Sequence, residues 1–491
     1  MSSLKDLFVH INYAHKGQSP AQLSLTGLCL DSRQAKKGWL FAALPGSQVD
    51  GHDYIEQAIT NGCSAILCER WPKEIAPEVC YIKVEKVADA LGPLAANFYE
   101  QPSQQLALVG VTGTNGKTST VSLLYRLFKE LGHKVGLIST IENRIDDEVL
   151  KSTHTTPNAI ELQALLAQMR DAACDYVFME VSSHAAEQGR IAGAHFTGGV
   201  FSNISHDHLD YHKTFKNYIF AKKRFFDQLP SSAFALVNAD DKRAEVMLQN
   251  CSAKAYRYAQ KQLADFRFRL LENSLSGLQL ELDGQEFHCS LVGDFNAYNL
   301  LAVYATAILL EEPKTEVLRI LSGLKPPAGR FEYVRIPNNP VQAIVDYAHT
   351  PDALEKVLQT LKATTSTGRI ITVVGCGGNR DHSKRPVMAQ KAAAYSDLLI
   401  LSSDNPRFEE PEAILDEMWA GLSKAQQAQS YRQVNRREAI RWACQLAQAE
   451  DVILVAGKGH ETYQEIKGER LPFDDREELR QALEEQLAKF V

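Results

Sequence analysis

Short runs of consecutive apolar residues, each followed by glycine or polar residues, recur through the middle of the chain. LALVGVT at 106–112, DYVFMEVSS at 175–183 and GGVFSNIS at 198–205 are examples. Such runs are typical of strands buried in a largely parallel sheet. The first run is followed by STVSLLYRLFKELG at 119–132, whose apolar spacing is that of an amphipathic helix. The pattern therefore predicts a β-turn-α unit that begins near residue 106.

The same pattern returns beyond residue 340 in VQAIVDYAH, RIITVVGCGG, DLLILSSDNPR and DVILVAGKGHE. In each run, glycine or polar residues follow the carboxyl end of the predicted strand, which is the edge where open α/β sheets bind ligands. Two stretches interrupt the pattern, the polar YEQPSQQ at 99–105 and KPPAGR at 325–330. We place domain boundaries at these stretches, because proline in both of them, and glycine in the second, interrupt regular secondary structure.

Composition narrows the class of protein. The chain has 45% hydrophobic and 23% charged residues and a net charge of −7. These values are typical of a soluble globular protein and give no reason to expect nucleic acid or a membrane as partner. The longest apolar run, Leu300 to Leu310, is too short to span a bilayer and predicts a buried helix. The N-terminal residues contain no apolar run of the kind found in export signals.

The nine cysteines are scattered and include no CxxC pair. This usage indicates a reducing compartment, so we expect a cytoplasmic protein. Each cysteine is expected to be a small buried hydrophobic residue.

TGTNGKT at 112–118 lies between a predicted strand and a predicted helix. Glycines allow backbone N–H groups to turn toward phosphate oxygens, and the helix N-terminus favours an anion. Lys117 would reach the β- and γ-phosphates and Thr118 would bind Mg²⁺. Val111 stands where the strict P-loop pattern has glycine, so a glycine-rich turn that only caps a helix is the alternative. The expected ATP-binding residues of this loop are Gly113, Thr114, Asn115, Gly116, Lys117, Thr118 and Ser119.

With TGTNGKT in place of the standard loop, the chain resembles the Mur ligase superfamily, which includes folylpolyglutamate synthases. The resemblance extends from about residue 28 to residue 478. It implies that ATP phosphorylates a carboxylate and that an amine then displaces phosphate from the acyl phosphate. The implied fold class is α/β with three domains. A central ATP-binding domain with a P-loop-type parallel sheet (104–330) would be flanked by a UDP-sugar-binding α/β domain (1–103) and a C-terminal, amino-acid-binding Rossmann-like α/β domain (331–491).

The central domain contains candidate metal ligands. Glu180 ends a strand-like run, and a carboxylate there suits a hard cation. DHLDYH at 207–212 resembles a family signature whose first histidine maps to His208, so the resemblance implies that Glu180 and His208 help to hold a second Mg²⁺. His206 and His212 are expected to be surface or core residues. Zinc is less favoured, because no thiolate is near and the spacing fits no zinc pattern.

TFKNYIFAKKRFFDQL at 214–229 predicts an amphipathic helix whose lysines would ordinarily be solvated. Its FAK triplet resembles the family position at which a lysine is carbamylated by CO₂, and the match selects Lys222. The carbamate would supply an anionic oxygen for metal, so Lys222 joins Thr118, Glu180 and His208 as an expected metal ligand. Formation of the carbamate needs a neutral amine, and therefore a site that lowers the pKa of the lysine.

Three residues are expected near the nucleoside of ATP. Asn296 and Asn299 in GDFNAYNLLAV are three apart and would share one side of a helix. The resemblance places their amides near the adenine, with helix capping as the alternative. By the same resemblance Asp346 in VDYAHTPDAL meets the ribose, with His349 close by.

SSDNPRFEEP follows a predicted strand, and a turn before a helix is its simplest interpretation. DNPR at this place resembles the signature of diaminopimelate-adding family members, while lysine-adding members lack the arginine. Diaminopimelate carries a second carboxylate, which a guanidinium can bind bidentately. The residues expected to bind the amino acid are Asp404, Asn405, Pro406, Arg407, Arg385 of GCGGNRDHSKRPVM, and Gly457 and Glu461 of AGKGHE.

LDSR at 30–33 and PGSQVDGHDY at 45–54 resemble the uridine-binding part of these ligases. By that resemblance, the UDP-sugar and its peptide would be held by Leu30, Ser32, Ser47, Gln48, Val49, Thr155, Thr156, Ser182, Gln188 and Arg190. His154 replaces the frequent asparagine, and Ala185-Ala186 depart from the usual pair.

The resemblance implies a monomeric ligase of peptidoglycan precursor synthesis, with Lys117, His208 and Lys222 in catalytic roles. It would use ATP, Mg²⁺ and CO₂, the last as a carbamate on Lys222, to join meso-diaminopimelate to the D-glutamyl γ-carboxylate of a UDP-muramoyl dipeptide. A lysine-adding or folylpolyglutamate-type ligase is the first alternative. A P-loop ATPase or nucleotide-binding regulator without ligase chemistry is the second. No residue is identified as the general base.

Overall fold

The computed structural model describes residues 3–46, 49–150, 155–365 and 367–487. Within these ranges the strands form one large sheet in each of three consecutive α/β domains, together with a small hairpin. The domain boundaries near 103 and 330 stay predictions. Among the described residues, no helix is long and apolar enough to cross a membrane.

The N-terminal domain is built on a five-stranded sheet. Its strands are β1 (Ala14–Gly17), β2 (Gly27–Cys29), β3 (Trp39–Ala42), β4 (Ala65–Cys68) and β5 (Cys80–Lys83). Its helices are α1 (Leu4–Leu7), α2 (Ile55–Thr60) and α3 (Val87–Phe98). The strand order is β1-β5-β4-β3-β2, with β2 to β5 parallel and β1 antiparallel at one edge.

The central domain contains an eleven-stranded sheet. Its strands are β6 (Ala107–Thr112), β7 (Val135–Ile138), β8 (Asn143–Ile145), β9 (Glu148–Leu150), β10 (Tyr176–Glu180), β11 (Gly198–Phe201), β12 (Phe234–Asn238), β13 (Lys254–Ala259), β14 (Phe266–Ser274), β15 (Gly277–Leu282) and β16 (Gln285–Cys289). Its helices are α4 (Lys117–Glu130), α5 (Ala159–Asp171), α6 (Ser183–Glu187), α7 (Leu209–His212), α8 (Phe215–Asp227), α9 (Ala244–Leu248), α10 (Asp294–Leu309) and α11 (Lys314–Gly323).

The order of this sheet, β16-β15-β14-β13-β12-β11-β6-β10-β7-β8-β9, places β6 between β10 and β11. These three strands are parallel, so the loops that follow them lie side by side at one edge. The predicted strands at 106–112, 175–183 and 198–205 are confirmed as β6, β10 and β11. The antiparallel strands at the two sheet edges do not follow from the apolar runs, because those strands are short or alternate between apolar and polar residues.

The apolar run from Leu300 to Leu310 lies mostly within α10, which packs against α4 and β14 in the core of the central domain. The buried helix predicted there is confirmed. All nine cysteines are unpaired, and all but the half-buried Cys251 are buried. They are the small buried residues that the sequence indicated.

The C-terminal domain has a six-stranded sheet and a separate hairpin. Its strands are β17 (Glu332–Tyr333), β18 (Gln342–Asp346), β19 (Ile370–Val374), β20 (Leu398–Ser402), β21 (Ser430–Gln433), β22 (Val452–Ala456) and the hairpin strands β23 (Tyr463–Ile466) and β24 (Glu469–Pro472). Its helices are α12 (Pro351–Thr364), α13 (Lys384–Tyr395), α14 (Pro411–Ala420), α15 (Lys424–Gln427), α16 (Arg436–Leu446) and α17 (Asp475–Leu487). The sheet order is β17-β18-β22-β19-β20-β21, parallel except for β17.

A buried ion pair joins the last helix to this sheet. Arg436 at the start of α16 donates to both carboxylate oxygens of Asp475 at the start of α17, each at 2.8 Å. Arg436 also donates to the carbonyl oxygen of Ala456 at the end of β22 at 2.9 Å. Both charged side chains are fully buried, so each depends on the other for its charge compensation.

We expect Asp475→Ala to lower the free energy of unfolding by about 3–5 kcal/mol, because it leaves the Arg436 charge buried without a partner. Urea denaturation of the full-length chain would measure the change. Glu477→Ala is the matched control, since Glu477 lies on the same helix and pairs with Arg480 at an exposed site. Equal losses in the two variants would contradict the importance given to the buried pair.

Candidate active site

A cavity of about 830 Å³ lies between the carboxyl ends of β6, β10 and β11 and helix α12 of the C-terminal domain. The sequence-predicted residues that line it are Thr114, Asn115, Gly116, Lys117, Thr118, Ser119, Thr155, Glu180, Ser182, His208, Lys222, Asn296, Asn299 and Asp346. The residues expected to bind the amino acid do not line this cavity and cluster instead at the ends of β19, β20 and β22. The structure thus brings the expected ATP and metal residues together in one space.

In the phosphate loop, defined as residues 112–118, the side chain of Lys117 folds back over the backbone. Its Nζ donates to the carbonyl oxygens of Gly113 and Thr114, each at 2.9 Å. Gly116 adopts a left-handed conformation with φ of 88°, and α4 begins at the next residue. Desolvation lowers the pKa of Lys117 although the charge of Glu180 opposes this shift. A phosphate at this helix N-terminus would compensate the Lys117 charge.

Two loop side chains brace the loop against its surroundings. The Thr114 hydroxyl lies 3.0 Å from the Tyr218 hydroxyl and accepts a hydrogen bond from the backbone N–H of Ser205 at 3.0 Å. The Asn115 amide donates to Asp352 of α12 at 2.8 Å. The second contact ties the phosphate loop directly to the C-terminal domain.

Thr118 and Glu180 form the polar centre of the cavity. The Thr118 hydroxyl donates to Oε1 of Glu180 at 2.9 Å, and the backbone N–H of Thr140 donates to the same oxygen at 2.7 Å. The Arg330 guanidinium donates to the Thr118 hydroxyl at 3.0 Å and stacks on the Tyr347 ring at 4.3 Å. The sequence indicated 325–330 only as a domain boundary, and no local pattern predicts that Arg330 lines this cavity.

Lys222 is buried on α8, in contrast to the solvated lysines of an ordinary amphipathic helix. Its Nζ donates to the carbonyl oxygen of Gly113 at 2.7 Å and lies 4.7 Å from the Tyr218 ring centre. Burial, and then the nearby charge of Lys117, lower the pKa of Lys222 well below its usual value. The environment of Lys222 therefore favours the neutral amine over the ammonium, which is the direction that the carbamylation hypothesis requires.

His208 lies at the mouth of the same cavity with φ of 53°, and its ring is 3.3 Å from the Asp207 carboxylate. Burial lowers the pKa of His208 to about 3. Across the described ranges, no group of three His, Cys, Asp or Glu side chains is arranged to hold a metal ion by itself. A cation bound here would need further oxygen ligands, such as phosphate, water or a carbamate.

The two other histidines of this segment behave as the sequence indicated. His206 is exposed beside Phe215. His212 is buried and lies 2.9 Å from both the Ser183 hydroxyl and the Glu187 carboxylate. Neither lines the cavity.

Asn296 and Asn299 lie on one side of α10, as predicted. The Asn299 amide donates to Oδ1 of Asn296 at 3.1 Å, and the Asn296 amide donates to the carbonyl oxygen of Val292 at 2.8 Å. Oδ1 of Asn299 lies against Gly116, where an added Cβ would come within 2.5 Å of it. Asn299 thus contacts the phosphate loop, and a role toward adenine stays a prediction.

Asp346 ends β18, where burial raises its pKa to about 6. Its carboxylate accepts hydrogen bonds from the backbone N–H groups of Phe331 and Ala348 at 2.6 and 2.7 Å. The carbonyl oxygen of Asp346 accepts a hydrogen bond from the backbone N–H of Gly457 at 3.0 Å. This contact connects the expected ribose residue to the amino-acid side of the domain. His349 lines the same cavity.

A second cavity, of about 240 Å³, lies between the N-terminal and central domains and is lined by Leu30, Gln188 and Arg190 among others. Arg190 donates to Oε1 of Gln188 and to the carbonyl oxygen of Thr156. The Thr156 hydroxyl donates to the carbonyl oxygen of Glu180 at 2.8 Å. A chain of hydrogen bonds therefore runs from the second cavity to the first.

The remaining residues predicted to bind the UDP-sugar lie mainly in the N-terminal domain. Ser32 donates to Gln57 at 2.7 Å, so its hydroxyl is engaged within the N-terminal domain. Val49 is exposed. Ser47, Gln48 and His154 lie outside the described residues.

The expected amino-acid residues Asp404, Asn405, Pro406 and Arg407 form one loop after β20, the DNPR loop. Arg407 has φ of 53°, and its guanidinium donates to the carbonyl oxygen of Gly378 at 2.8 Å. The backbone N–H of Arg407 donates to the carbonyl oxygen of Glu465 in β23 at 3.0 Å. The carbonyl oxygen of Arg407 accepts a hydrogen bond from the backbone N–H of Lys467, in the turn after β23, at 2.6 Å. The hairpin therefore fixes the position from which the guanidinium extends.

Asn405 donates to Glu461 at 2.8 Å, which joins two of the expected amino-acid residues. Lys458 contacts both of them, although nothing in the AGKGHE stretch distinguishes it from its neighbours at the level of sequence. Gly457 has φ of 117°, and an added Cβ would lie 2.6 Å from Oδ2 of Asp404.

Arg385 is buried, whereas a residue that contacts a substrate directly would be open to it. It is fully buried at the start of α13 and pairs with Glu409 at 2.9 Å and Glu417 at 3.0 Å. Nε of Arg385 has no hydrogen-bond partner. In this structure Arg385 supports the loops around the amino-acid residues, and direct contact with a substrate stays a prediction.

Three family models match the chain. The Mur ligase family catalytic domain matches residues 24–99, the Mur ligase middle domain residues 111–307, and the Mur ligase glutamate ligase domain residues 329–459. The UDP-N-acetylmuramoyl-L-alanyl-D-glutamate–2,6-diaminopimelate ligase of Cytophaga hutchinsonii is 55% identical over 463 residues, which is 94% of this chain and 95% of that protein. The protein of the same name from Bacteroides fragilis is 52% identical over 460 residues, again 94% and 95% of the two chains.

Solved structures agree with this similarity. A UDP-N-acetylmuramoyl-L-alanyl-D-glutamate–2,6-diaminopimelate ligase structure superposes with a TM-score of 0.70 and 33% identity, covering 99% of both chains. The MurF ligase of Thermotoga maritima, solved in complex with ADP, gives a TM-score of 0.64 at 19% identity, covering 94% of this chain and 98% of that one. At that identity the second match supports the fold alone.

We expect Gly116→Ala to weaken nucleotide binding by roughly tenfold or more, because the added Cβ would collide with Asn299 and distort the phosphate loop. Gly132→Ala is the matched control, since Gly132 has a similar φ of 97° but no atom within 4 Å of an added Cβ. Titration with a fluorescent ADP analogue measures both variants. Equal affinities would show that the contact between Gly116 and Asn299 does not shape the site.

Proposed function

The chain belongs to the Mur ligase family, and we propose that it is the ATP-dependent ligase that adds meso-diaminopimelate in peptidoglycan synthesis. The acceptor would be the D-glutamyl γ-carboxylate of a UDP-muramoyl dipeptide. The product is an amide, and ATP is converted to ADP and phosphate.

The charges around the DNPR loop are the observation that supports diaminopimelate as the substrate. Arg407 provides a guanidinium, and two residues away the Asn405 amide is bonded to the Glu461 carboxylate. The distal end of diaminopimelate carries a carboxylate and an ammonium, which match these opposite charges. Lysine lacks the distal carboxylate, so binding of lysine would leave Arg407 without that partner.

The first step forms the acyl phosphate. A γ-carboxylate oxygen attacks the γ-phosphorus of ATP, and ADP leaves. Lys117 and the Arg330 guanidinium next to Thr118 would offset the charge that develops on the phosphoryl oxygens. Because little covalent chemistry falls to the protein here, correct positioning of the two anions contributes most of the catalysis.

The second step forms the amide. The neutral amine of diaminopimelate attacks the carbonyl carbon, phosphate leaves with the electrons of the broken C–O bond, and the nitrogen loses a proton. The DNPR loop and Glu461 would orient the amino acid for this attack. Contacts such as Asn115 with Asp352 connect the domain that holds the amino acid to the one that holds the phosphate loop.

The residues in the cavity fit Mg²⁺. The Thr118 hydroxyl and the Glu180 carboxylate are hard oxygen donors 2.9 Å apart. Thr118 would hold one ion with phosphate oxygens, and Glu180, His208 and a carbamate on Lys222 would hold a second. When bound, Mg²⁺ neutralises phosphate charge and fixes its geometry.

The proposed carbamate forms when the neutral amine of Lys222 attacks CO₂ and one proton is released. Its support is the buried position of Lys222 and the lowered pKa of the amine. The product would place an anion next to the Lys117 ammonium, whose charge it would offset.

Hydrogen bonds link Arg190 through Thr156 to Glu180, so polar residues extend from one cavity to the other. The peptide of the acceptor would lie along these residues. We propose that the uridine end lies at the second cavity near Leu30 and that the D-glutamyl end reaches Thr155 and Ser182. The monomeric state and the cytoplasmic location stay predictions.

We expect Arg407→Ala to lower kcat/KM for diaminopimelate by roughly 100- to 1,000-fold, because a charged partner of the distal carboxylate is lost. Amide formation would be measured with diaminopimelate and with lysine in parallel. Arg480→Ala, an exposed arginine on α17, serves as the control. Equal rates of the wild-type chain with the two amino acids would rule out the substrate choice.

We expect Lys222→Ala to abolish ligation, because the anion proposed to hold metal can no longer form. Partial recovery in formate or acetate is expected, since a small carboxylate can occupy the vacated space. Lys223→Ala is the control, because Lys223 is equally buried but pairs with Asp227 and should gain nothing from either anion. Full activity of Lys222→Ala would disprove the role of the carbamate.

A further inference from the structure

Lys458 is a fully buried lysine in the turn that follows β22. Its Nζ donates to Oδ1 of Asn405 at 3.0 Å and to Oε2 of Glu461 at 2.9 Å. The Asn405 amide donates to the same Glu461 oxygen at 2.8 Å. Lysine, amide and carboxylate thus form a closed triangle in which every pair is bonded.

The backbone around Lys458 is held in place on both sides. Gly457 has φ of 117° and Gly459 has φ of 54°, conformations that favour glycine. An added Cβ at Gly459 would lie 2.7 Å from Cβ of Tyr347. This close packing directs the lysine side chain inward, away from solvent.

Local charge also depends on Lys458. Asp404 and Glu461 are two carboxylates in the same loop cluster. Of the two other cations that act on Asp404, Arg436 is already paired with Asp475, and Arg407 donates to the carbonyl oxygen of Gly378. Burial and the charge of Asp404 raise the pKa of Glu461, whereas Lys458 acts to lower it. Without the Lys458 ammonium, these two carboxylates would lose the cation that acts on both of them.

We propose that Lys458 is a positioning residue for the amino-acid substrate: it fixes the Asn405 amide and, with it, holds the Glu461 carboxylate in the orientation in which that carboxylate receives the substrate ammonium. This inference rests on the proposed function. Lys458 has no exposed surface, so it would act through Asn405 and Glu461 without touching the substrate. Oδ1 of Asn405, bonded to Lys458 and to the backbone N–H of Glu465, is fixed as an acceptor, which leaves the amide nitrogen toward Glu461.

The role predicts a selective defect. Lys458→Met preserves much of the side-chain volume but removes the charge and both hydrogen bonds. We expect KM for diaminopimelate to rise roughly 10- to 100-fold, the range for hydrogen bonds to charged groups. KM for ATP and for the UDP-muramoyl dipeptide should change less than about twofold, because neither contacts this cluster.

Steady-state rates of the full-length chain, with each substrate varied in turn, provide the test. Lys424→Met is the matched control, since Lys424 is an exposed lysine on α15 of the same domain. A rise of all three KM values together, or an unchanged KM for diaminopimelate, would overturn the proposal.

A double-mutant comparison tests whether Lys458 affects diaminopimelate binding through Glu461. If Lys458 acts through Glu461, the Lys458→Met and Glu461→Gln double variant should bind diaminopimelate no more weakly than Glu461→Gln alone. Fully additive losses would overturn this route.

Loss of the buried charge could also prevent folding, and a charge-balanced pair addresses this. Asp404→Asn with Lys458→Met removes one negative and one positive charge together. Its KM for diaminopimelate should exceed that of Asp404→Asn alone, and equal values would overturn the proposal.

If the proposed substrate is wrong, the assays of the wild-type chain give a different result. A wild-type chain that ligates lysine and not diaminopimelate would refute the substrate assignment. Lys458→Met should then raise KM for lysine selectively, so the role of Lys458 is judged separately.

Discussion

The carbonyl oxygen of Gly113 accepts hydrogen bonds from two lysine side chains, Lys117 at 2.9 Å and Lys222 at 2.7 Å. Burial lowers the pKa of Lys222 well below its usual value, and repulsion by the nearby Lys117 ammonium lowers it further. The arrangement becomes favourable when anions enter the cavity or when one amine is converted to an anion. The phosphate loop, the burial of α8 and the position of Glu180 all serve to hold this cationic centre.

This constraint explains why the cavity needs parts of two domains. Strands β6, β10 and β11 supply the phosphate loop and Glu180, but the loop is also braced by Asp352 of the C-terminal domain. Arg330, in the segment that joins the domains, reaches Thr118 and stacks on Tyr347. Any change in the relative position of the two domains would alter these contacts, so the geometry for phosphoryl transfer depends on how the domains pack.

The parallel strands, the phosphate loop and Glu180 could be predicted, because short stretches of sequence are enough to indicate them. The apolar runs identified the parallel strands, and TGTNGKT identified the turn before α4, since buried parallel strands and glycine turns have strong local signatures. Glu180 followed from its place at a strand end. Arg330 and Lys458 could not be selected this way, because their roles depend on partners far away in sequence, Thr118 and Asn405 respectively.

Arg385 and Arg407 illustrate the same limit within one predicted set. Both are arginines near the ends of parallel strands, and their local sequences do not distinguish a buried ion pair from a half-buried side chain. The structure separates them, because Glu409 and Glu417 compensate Arg385, whereas the closest carboxylate to Arg407, that of Glu465, lies 3.6 Å away. Selection of an amino acid by its distal carboxylate requires a guanidinium that is held in place yet incompletely compensated. Arg407 fits both conditions, because the hairpin fixes its backbone and its guanidinium makes a 2.8 Å hydrogen bond only to a neutral carbonyl oxygen, with the Glu465 carboxylate at 3.6 Å.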